Sequence, residues 1–249
     1  MLLSEQRAAL AEAGRRLAAR GLVIGTSGNL SAREGDLVAV TPTGGVIGEL
    51  TAEQMTVIDL GDGHVVDGQL APTSEVPMHL AVYRATGAAA ITHTHATTST
   101  ALGLVTDEIP LVHYAMLSLG GAVRVAEYAC YGTDELAAHV VAALEFKQAA
   151  LMRNHGSIAI GSTLAKAVDN LELCEWAAQT YHQALLASAV TGRAPRELTQ
   201  GEQEQVIMAA LSSGYGTTKK IQPEQTRSET EKIQSASEQQ AADGAAEGE

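Results

Sequence analysis

Residues 91–100 read ITHTHATTST. The apolar residues that lead in, 88–91, predict a β-strand, and a strand sends side chains at i and i+2 out on one face. His93 and His95 therefore converge on a single point. A metal ion is one occupant of such a point. Chance is the other explanation, since eight histidines are spread over 249 residues. The rest of the chain has to choose between them.

A third histidine stands in LMRNHGSIAI (151–160), where an apolar strand ends, His155 follows, and a glycine permits a tight turn into the next strand. By itself this reads as a turn histidine satisfied by backbone hydrogen bonds. Added to the pair, it makes three imidazoles, which leave one open position on a tetrahedral zinc ion, as in a catalytic site and unlike a closed structural one. Upstream, APTSEVPMHLAVYR (71–84) predicts a helix over 74–86 that Glu75 opens. Thr73 and Ser74 set hydroxyls beside first-turn N–H groups that have no partner inside the helix, which suits an anion. Ordinary capping, with Glu75 favouring the helix dipole, is compatible with that role. Two glycine-rich turns, GTSGN (25–29) and TPTGG (41–45), could add N–H and hydroxyl donors for the same anion.

Around these motifs the chain alternates helical and extended signals. Apolar positions Leu10, Ala13, Leu17 and Ala18 predict an amphipathic helix over 4–20, with Ser4 as N-cap and Gly21 just beyond its end. LSAR and LVAV flank the turn residues EGD and predict paired strands, and a strand over 55–60 enters the hairpin pattern VIDLGDGHVV. Further helices are expected at 96–103, 133–146 and 163–190, and further strands at 88–93, 149–152 and 157–160. Helices interleaved with hairpins indicate an α/β fold: one domain with a central, mostly antiparallel sheet flanked by helices.

Composition narrows the function. A formal net charge of −13 argues against nucleic acid or an anionic membrane as partner. There is no apolar run long enough to span a bilayer, and the charged N-terminal helix lacks the apolar core of a signal peptide, which predicts a cytoplasmic protein. Cys130 and Cys174 show no paired spacing and read as buried free thiols. From 222 onward the chain holds seven acidic and two basic residues and a single large aliphatic one, Ile233. Such a segment cannot bury enough apolar area to offset the cost of ordering it. The expected organisation is a folded domain over 1–218 and a disordered acidic tail over 219–249.

The ordered set GTSGNLS, TPTG, PTSE, THTHA, VHY (112–114), YGT (131–133) and NHG resembles the class II aldolase/adducin family over residues 5–216, with SGYG (213–216) as its end. The resemblance implies an aldolase that cleaves a phosphorylated ketose of the L-fuculose 1-phosphate type to dihydroxyacetone phosphate and an aldehyde. It implies one zinc ion per subunit on His93, His95 and His155. Glu75 would be the acid/base carboxylate and a resting-state ligand. It assigns the substrate phosphate to Asn29, Thr43, Gly44, Thr73 and Ser74, with Thr26 and Gly28 shaping the loop. Tyr114 and Tyr215 would act across a subunit boundary in a homo-oligomer, usually a four-fold tetramer. The family's usual Ser-Ser-Glu is here Thr73-Ser74-Glu75, which keeps both hydroxyls. Within the family the rivals are ribulose-phosphate 4-epimerases, which typically carry Asp in place of Glu75, and sugar-phosphate dehydratases and decarboxylases. An adducin-like scaffold is the non-catalytic alternative, and the complete ligand set speaks against it.

Overall fold

The computed structural model describes residues 1–213. The expected boundary at 218/219, the acidic tail and Tyr215 lie outside the described residues. In chain order the elements are α1 (Ser4–Ala19), β1 (Asn29–Glu34), β2 (Leu37–Val40), β3 (Thr56–Asp59), β4 (Val65–Asp67), α2 (Val76–Thr86), β5 (Ala90–Thr94), α3 (Thr97–Gly103), β6 (Glu108–Ile109), β7 (Val123–Ala126), α4 (Asp134–Ala143), β8 (Ala149–Met152), β9 (Gly156–Gly161), α5 (Leu164–Thr191) and α6 (Gln200–Ser213). The strands form one nine-stranded sheet in the order β4-β3-β2-β1-β5-β9-β8-β7-β6. Every pairing is antiparallel except β7 with β8, and α4 supplies the crossover that a parallel pair requires.

The sheet is covered on both faces, so its central strands are buried throughout, not on alternate residues. Ala90, Ala149, Leu151 and Ala159 face a core layer shared with Leu10 and Leu17 of α1, Leu102 of α3 and Ala167, Leu171 and Ala178 of α5. Their neighbours in sequence, Ile91, Ala150, Met152, Ile158 and Ile160, face a second layer with Met78, Val82 and Tyr83 of α2 and Leu136 and Val140 of α4. The first layer is rich in alanine, which lets helix backbones approach the sheet closely. Truncating a buried leucine such as Leu10 or Leu17 to alanine would cost about 2–5 kcal/mol. No helix of the described residues is long and apolar enough to cross a membrane.

Several expectations are corrected in detail. Ser4 is not the N-cap of α1: Leu3 holds that position with φ 50°, and no side chain caps the helix. Ala18 is exposed. α2 begins at Val76, with Glu75 at its N-cap and Pro77 in its first turn. α4 ends at Ala143, short of the expected 146. Strands β6 and β7 were unmarked in the sequence, because Arg124 interrupts the short apolar run of β7. Cys174 is buried as expected, but Cys130 is exposed.

Candidate active site

Four segments meet at one end of the central strands. β5 delivers His93, fully buried, and His95 stands just past its end. β9 pairs with β5 in the register Thr94↔Ser157, so the turn before β9 brings His155 alongside. In that turn Asn154 takes the left-handed conformation, φ 56°. Asn29, first residue of β1, is the register partner of His93. Glu75 arrives from the opposite direction: Thr73 N–H donates to the Thr41 carbonyl at 3.1 Å and Thr43 N–H to the Ala71 carbonyl at 3.0 Å, tying the start of α2 to the exit of β2. Gly28 closes the approach. Its φ is +84°, and a Cβ there would lie 2.6 Å from the His93 carbonyl oxygen, so only glycine fits without displacement.

The three imidazole rings are mutually equidistant, with centroids 4.9, 4.8 and 4.9 Å apart. Their nitrogens fall within 4.8 Å of one another. His93 Nδ1 lies 2.9 Å from the Ser157 carbonyl oxygen, which can only accept, so Nδ1 carries the proton and Nε2 presents a lone pair. That lone pair faces His95 Nε2 at 3.1 Å and Glu75 Oε2 at 3.1 Å. Glu75 Oε1 lies 3.3 Å from His155 Nε2 and is buried with no hydrogen-bond partner. Acceptors gathered this closely out of water repel one another unless a cation lies among them. The donor set fits a zinc-like ion, with nitrogen ligands at about 2.0–2.1 Å.

Protonation agrees with that fit. Burial pushes both His95 and His155 down to about 4, leaving the neutral rings that metal ligation needs. For Glu75 burial acts upward, but the neighbouring His93 and His155 and the hydrogen bond from Asn29 outweigh it. The carboxyl is held well below its ordinary range. It is therefore an anion, and a divalent ion would act in the same direction.

These groups open onto a cavity of about 310 Å³. Thr26, Gly28, Asn29, Thr43, Gly44, Thr73 and Ser74, the expected phosphate residues, all line it beside Glu75, His95 and His155. Among the described residues, no lysine or arginine does. An anion bound there would rely on hydroxyls, N–H groups, the N-terminus of α2 and the cation. Tyr114 does not line the cavity. It starts a short 3₁₀ turn, 39% exposed, with its ring 4.4 Å from that of His113, which in turn meets Trp176 edge-on at 4.7 Å. Sequence reasoning missed Tyr128, Tyr131 and Asn154, which also line the cavity. Two of the six tyrosines of an aromatic-poor chain standing together in EYACYGT (127–133) were the available signal. It missed His79 too, which stands four residues after Glu75, one helical turn along.

The motif order, the His cluster and the sheet topology lead to one comparison that decides the family. The description of the class II aldolase and adducin N-terminal domain matches residues 8–182. The chain belongs to the class II aldolase and adducin family. Among curated members of the family, a 5-deoxy-D-ribulose 1-phosphate aldolase of Bacillus thuringiensis serovar kurstaki is 33% identical over 219 residues, covering 87% of this chain and 99% of its own. An L-fuculose phosphate aldolase of Escherichia coli is 38% identical over 177 residues, 70% of this chain and 80% of its own. A solved L-fuculose 1-phosphate aldolase superposes with a TM-score of 0.77 at 36% identity, over 84% of this class II aldolase-family chain and 97% of that one.

Proposed function

We propose that the protein is a zinc-dependent aldolase that splits a ketose 1-phosphate into dihydroxyacetone phosphate and an aldehyde. The observation that carries this reading is the meeting of two chemistries at one cavity: a cluster of three histidines beside Glu75, of which His95, His155 and Glu75 line the cavity, and a cradle of uncharged donors suited to a phosphate. His93, His95 and His155 would hold the ion. When bound, it would supply Lewis-acid stabilisation of the negative charge that develops as the carbon–carbon bond breaks. Asn29, Thr43, Gly44, Thr73 and Ser74 bind the phosphate, and Thr26 and Gly28 shape the loop that does so. Once the aldehyde has left, Glu75 delivers a proton to the carbon that carried it, and it removes that proton in the direction of synthesis. Tyr114 and Tyr215 exchange a proton with the aldehyde oxygen from the neighbouring subunit of a homo-oligomer, a tetramer by family likeness. The exposure of Tyr114 and its absence from the cavity of its own chain support that arrangement.

Two substrate types are favoured, L-fuculose 1-phosphate and 5-deoxyribulose 1-phosphate. The second gains weight from the relative that spans nearly its whole length on this chain. The metal-loaded protein should release dihydroxyacetone phosphate from one or both in an assay coupled to NADH oxidation. Epimerisation of a pentulose 5-phosphate without that release would replace the aldolase reading by the epimerase one. For the shared site, Tyr114→Phe and Glu75→Gln proteins, dissociated and reassembled together, should regain activity at boundaries that pair two intact halves. No recovery despite confirmed mixing would place Tyr114 in its own chain's site.

A further inference from the structure

Behind Glu75 a line of buried hydrogen bonds runs into the core. Asn29 Nδ2 donates to Glu75 Oε2 at 2.7 Å, and Asn29 Oδ1 lies 2.5 Å from His79 Nε2. His79 Nδ1 lies 2.6 Å from Ser31 Oγ, which is 2.7 Å from Tyr83 Oη. All five residues are buried: Ser31 and His79 fully, Tyr83 to within 1%, Asn29 and Glu75 to within 4%. The proton on each bond follows from the chemistry of its partners. A carboxylate only accepts, so Asn29 turns its NH₂ to Glu75 and its oxygen to His79. That oxygen needs a donor, so His79 carries its proton on Nε2. The bare Nδ1 then accepts from the Ser31 hydroxyl, which accepts from Tyr83. A fully buried ring set between a carbonyl oxygen and a hydroxyl needs one proton only, on Nε2. Every member has one consistent setting, so each bond constrains the next.

We propose that His79 is a positioning residue for Glu75, acting through Asn29. An asparagine amide can turn over, exchanging oxygen for nitrogen with little change of shape. Turned over, Asn29 would set a carbonyl oxygen against the Glu75 carboxylate and drive it from its place. The Nε2–H of His79 makes that orientation the wrong one at both ends. α2 thereby presents the carboxylate at its N-cap and the group that orients it one turn later. The backbone couples them, with His79 N–H donating to the Glu75 carbonyl at 3.2 Å. The competing explanation is a core histidine that serves stability alone.

The inference rests on the aldolase reading for its kinetic test and not for its spectroscopic one. His79→Gln sets an amide nitrogen near the place of Nε2 and keeps the donor to Asn29. His79→Asn is shorter, keeps an acceptor for Ser31 and loses that donor. With the metal-loaded proteins, His79→Gln should hold kcat within a few-fold of wild type. His79→Asn should lose about 10–100-fold in kcat, the usual range for a group that orients a ligand from behind. KM and metal content should stay close to wild type in both, and thermal midpoints should fall by similar amounts. Losses of kcat that follow the thermal midpoint equally in both variants would overturn the proposal. In wild-type protein labelled with ¹⁵N-histidine, the ring shifts of His79 should report a neutral Nε2–H tautomer at neutral pH. An Nδ1–H or doubly protonated ring overturns the proposal even where a variant fails to fold. If the wild-type protein cleaves no ketose 1-phosphate, the aldolase reading fails and the tautomer alone decides the role of His79.

Discussion

Asp59, Asp62 and His64, around the turn between β3 and β4, bring metal-capable atoms within the same 4.8 Å of one another as His93, His95 and His155 do. The two clusters differ in what their lone pairs already do. In the turn, Asp62 Oδ1 accepts from the backbone and ring of His64 at 3.0 and 2.6 Å, and Asp59 Oδ1 accepts from Gly61 N–H at 2.7 Å. These are local turn bonds between exposed groups, and water satisfies what remains. In the cavity the ring nitrogens face Glu75, which is buried to within 4%, and one of its carboxylate oxygens has no partner. Proximity alone therefore does not mark a site. Acceptors gathered together in a buried pocket without donors do, because their mutual repulsion is relieved only when a cation lies among them.

The sharpest way to break this contrast is to remove one ligand from each cluster. His95→Ala should abolish turnover and lower the metal content, by elemental analysis, from about one ion per chain to a small fraction of it, since three protein ligands are needed for a catalytic zinc site. His64→Ala should leave the metal content unchanged. A full complement of metal in His95→Ala, or its loss in His64→Ala, would reverse the assignment.

Next in size, Glu75→Gln keeps the shape and removes the charge. Turnover should fall about 10²–10⁴-fold, the contribution of a general acid/base, while the three histidines retain the ion. Near-normal turnover would reduce Glu75 to a cap of α2. Gly28→Ala tests the scaffold and not the chemistry. The positive φ and the His93 carbonyl oxygen 2.6 Å from the new Cβ should cost about 1–3 kcal/mol, read as a lower thermal midpoint, with weaker substrate binding as the loop shifts.

The smallest effect belongs to the exposed pair. The hydrogen bond to Asp62 raises the His64 pKa above 6.5, and hydrogen bonds from His64 lower that of Asp62 below 3.8. A raised histidine stabilises the fold below its unfolded value and loses that contribution as pH rises through the folded one. A depressed aspartate contributes above its unfolded value and loses that contribution as pH falls through the folded one. The pair thus helps most between the two values and is screened by salt. The thermal midpoint of His64→Ala should match wild type above neutrality and fall slightly below it in mildly acidic, low-salt buffer. An equal deficit at both would mean that His64 acts through packing.

Local periodicity made part of this protein readable from its residues alone. The i, i+2 spacing of His93 and His95 on a strand, the apolar stripe of α1, the hairpin signals around EGD and GDG, and the hydroxyls before α2 each depend on neighbours in sequence. The order of motifs was enough to suggest the family, because each motif keeps its own short-range backbone chemistry. Other features needed chain segments far apart in sequence to pair. His155 becomes a partner of His93 only through the register of β9 on β5. Glu75 reaches both only because β2 and the segment before α2 hydrogen-bond. β7 joins the sheet beside β8 despite Arg124. His79, which reads as one more apolar-face helix residue, acquires its part only when β1 places Asn29 and Ser31 against it. Propensity and spacing act over a few residues. Burial, the direction of a shared proton and the pKa of a carboxylate depend on what the whole chain brings to one place, and these only the tertiary structure decided.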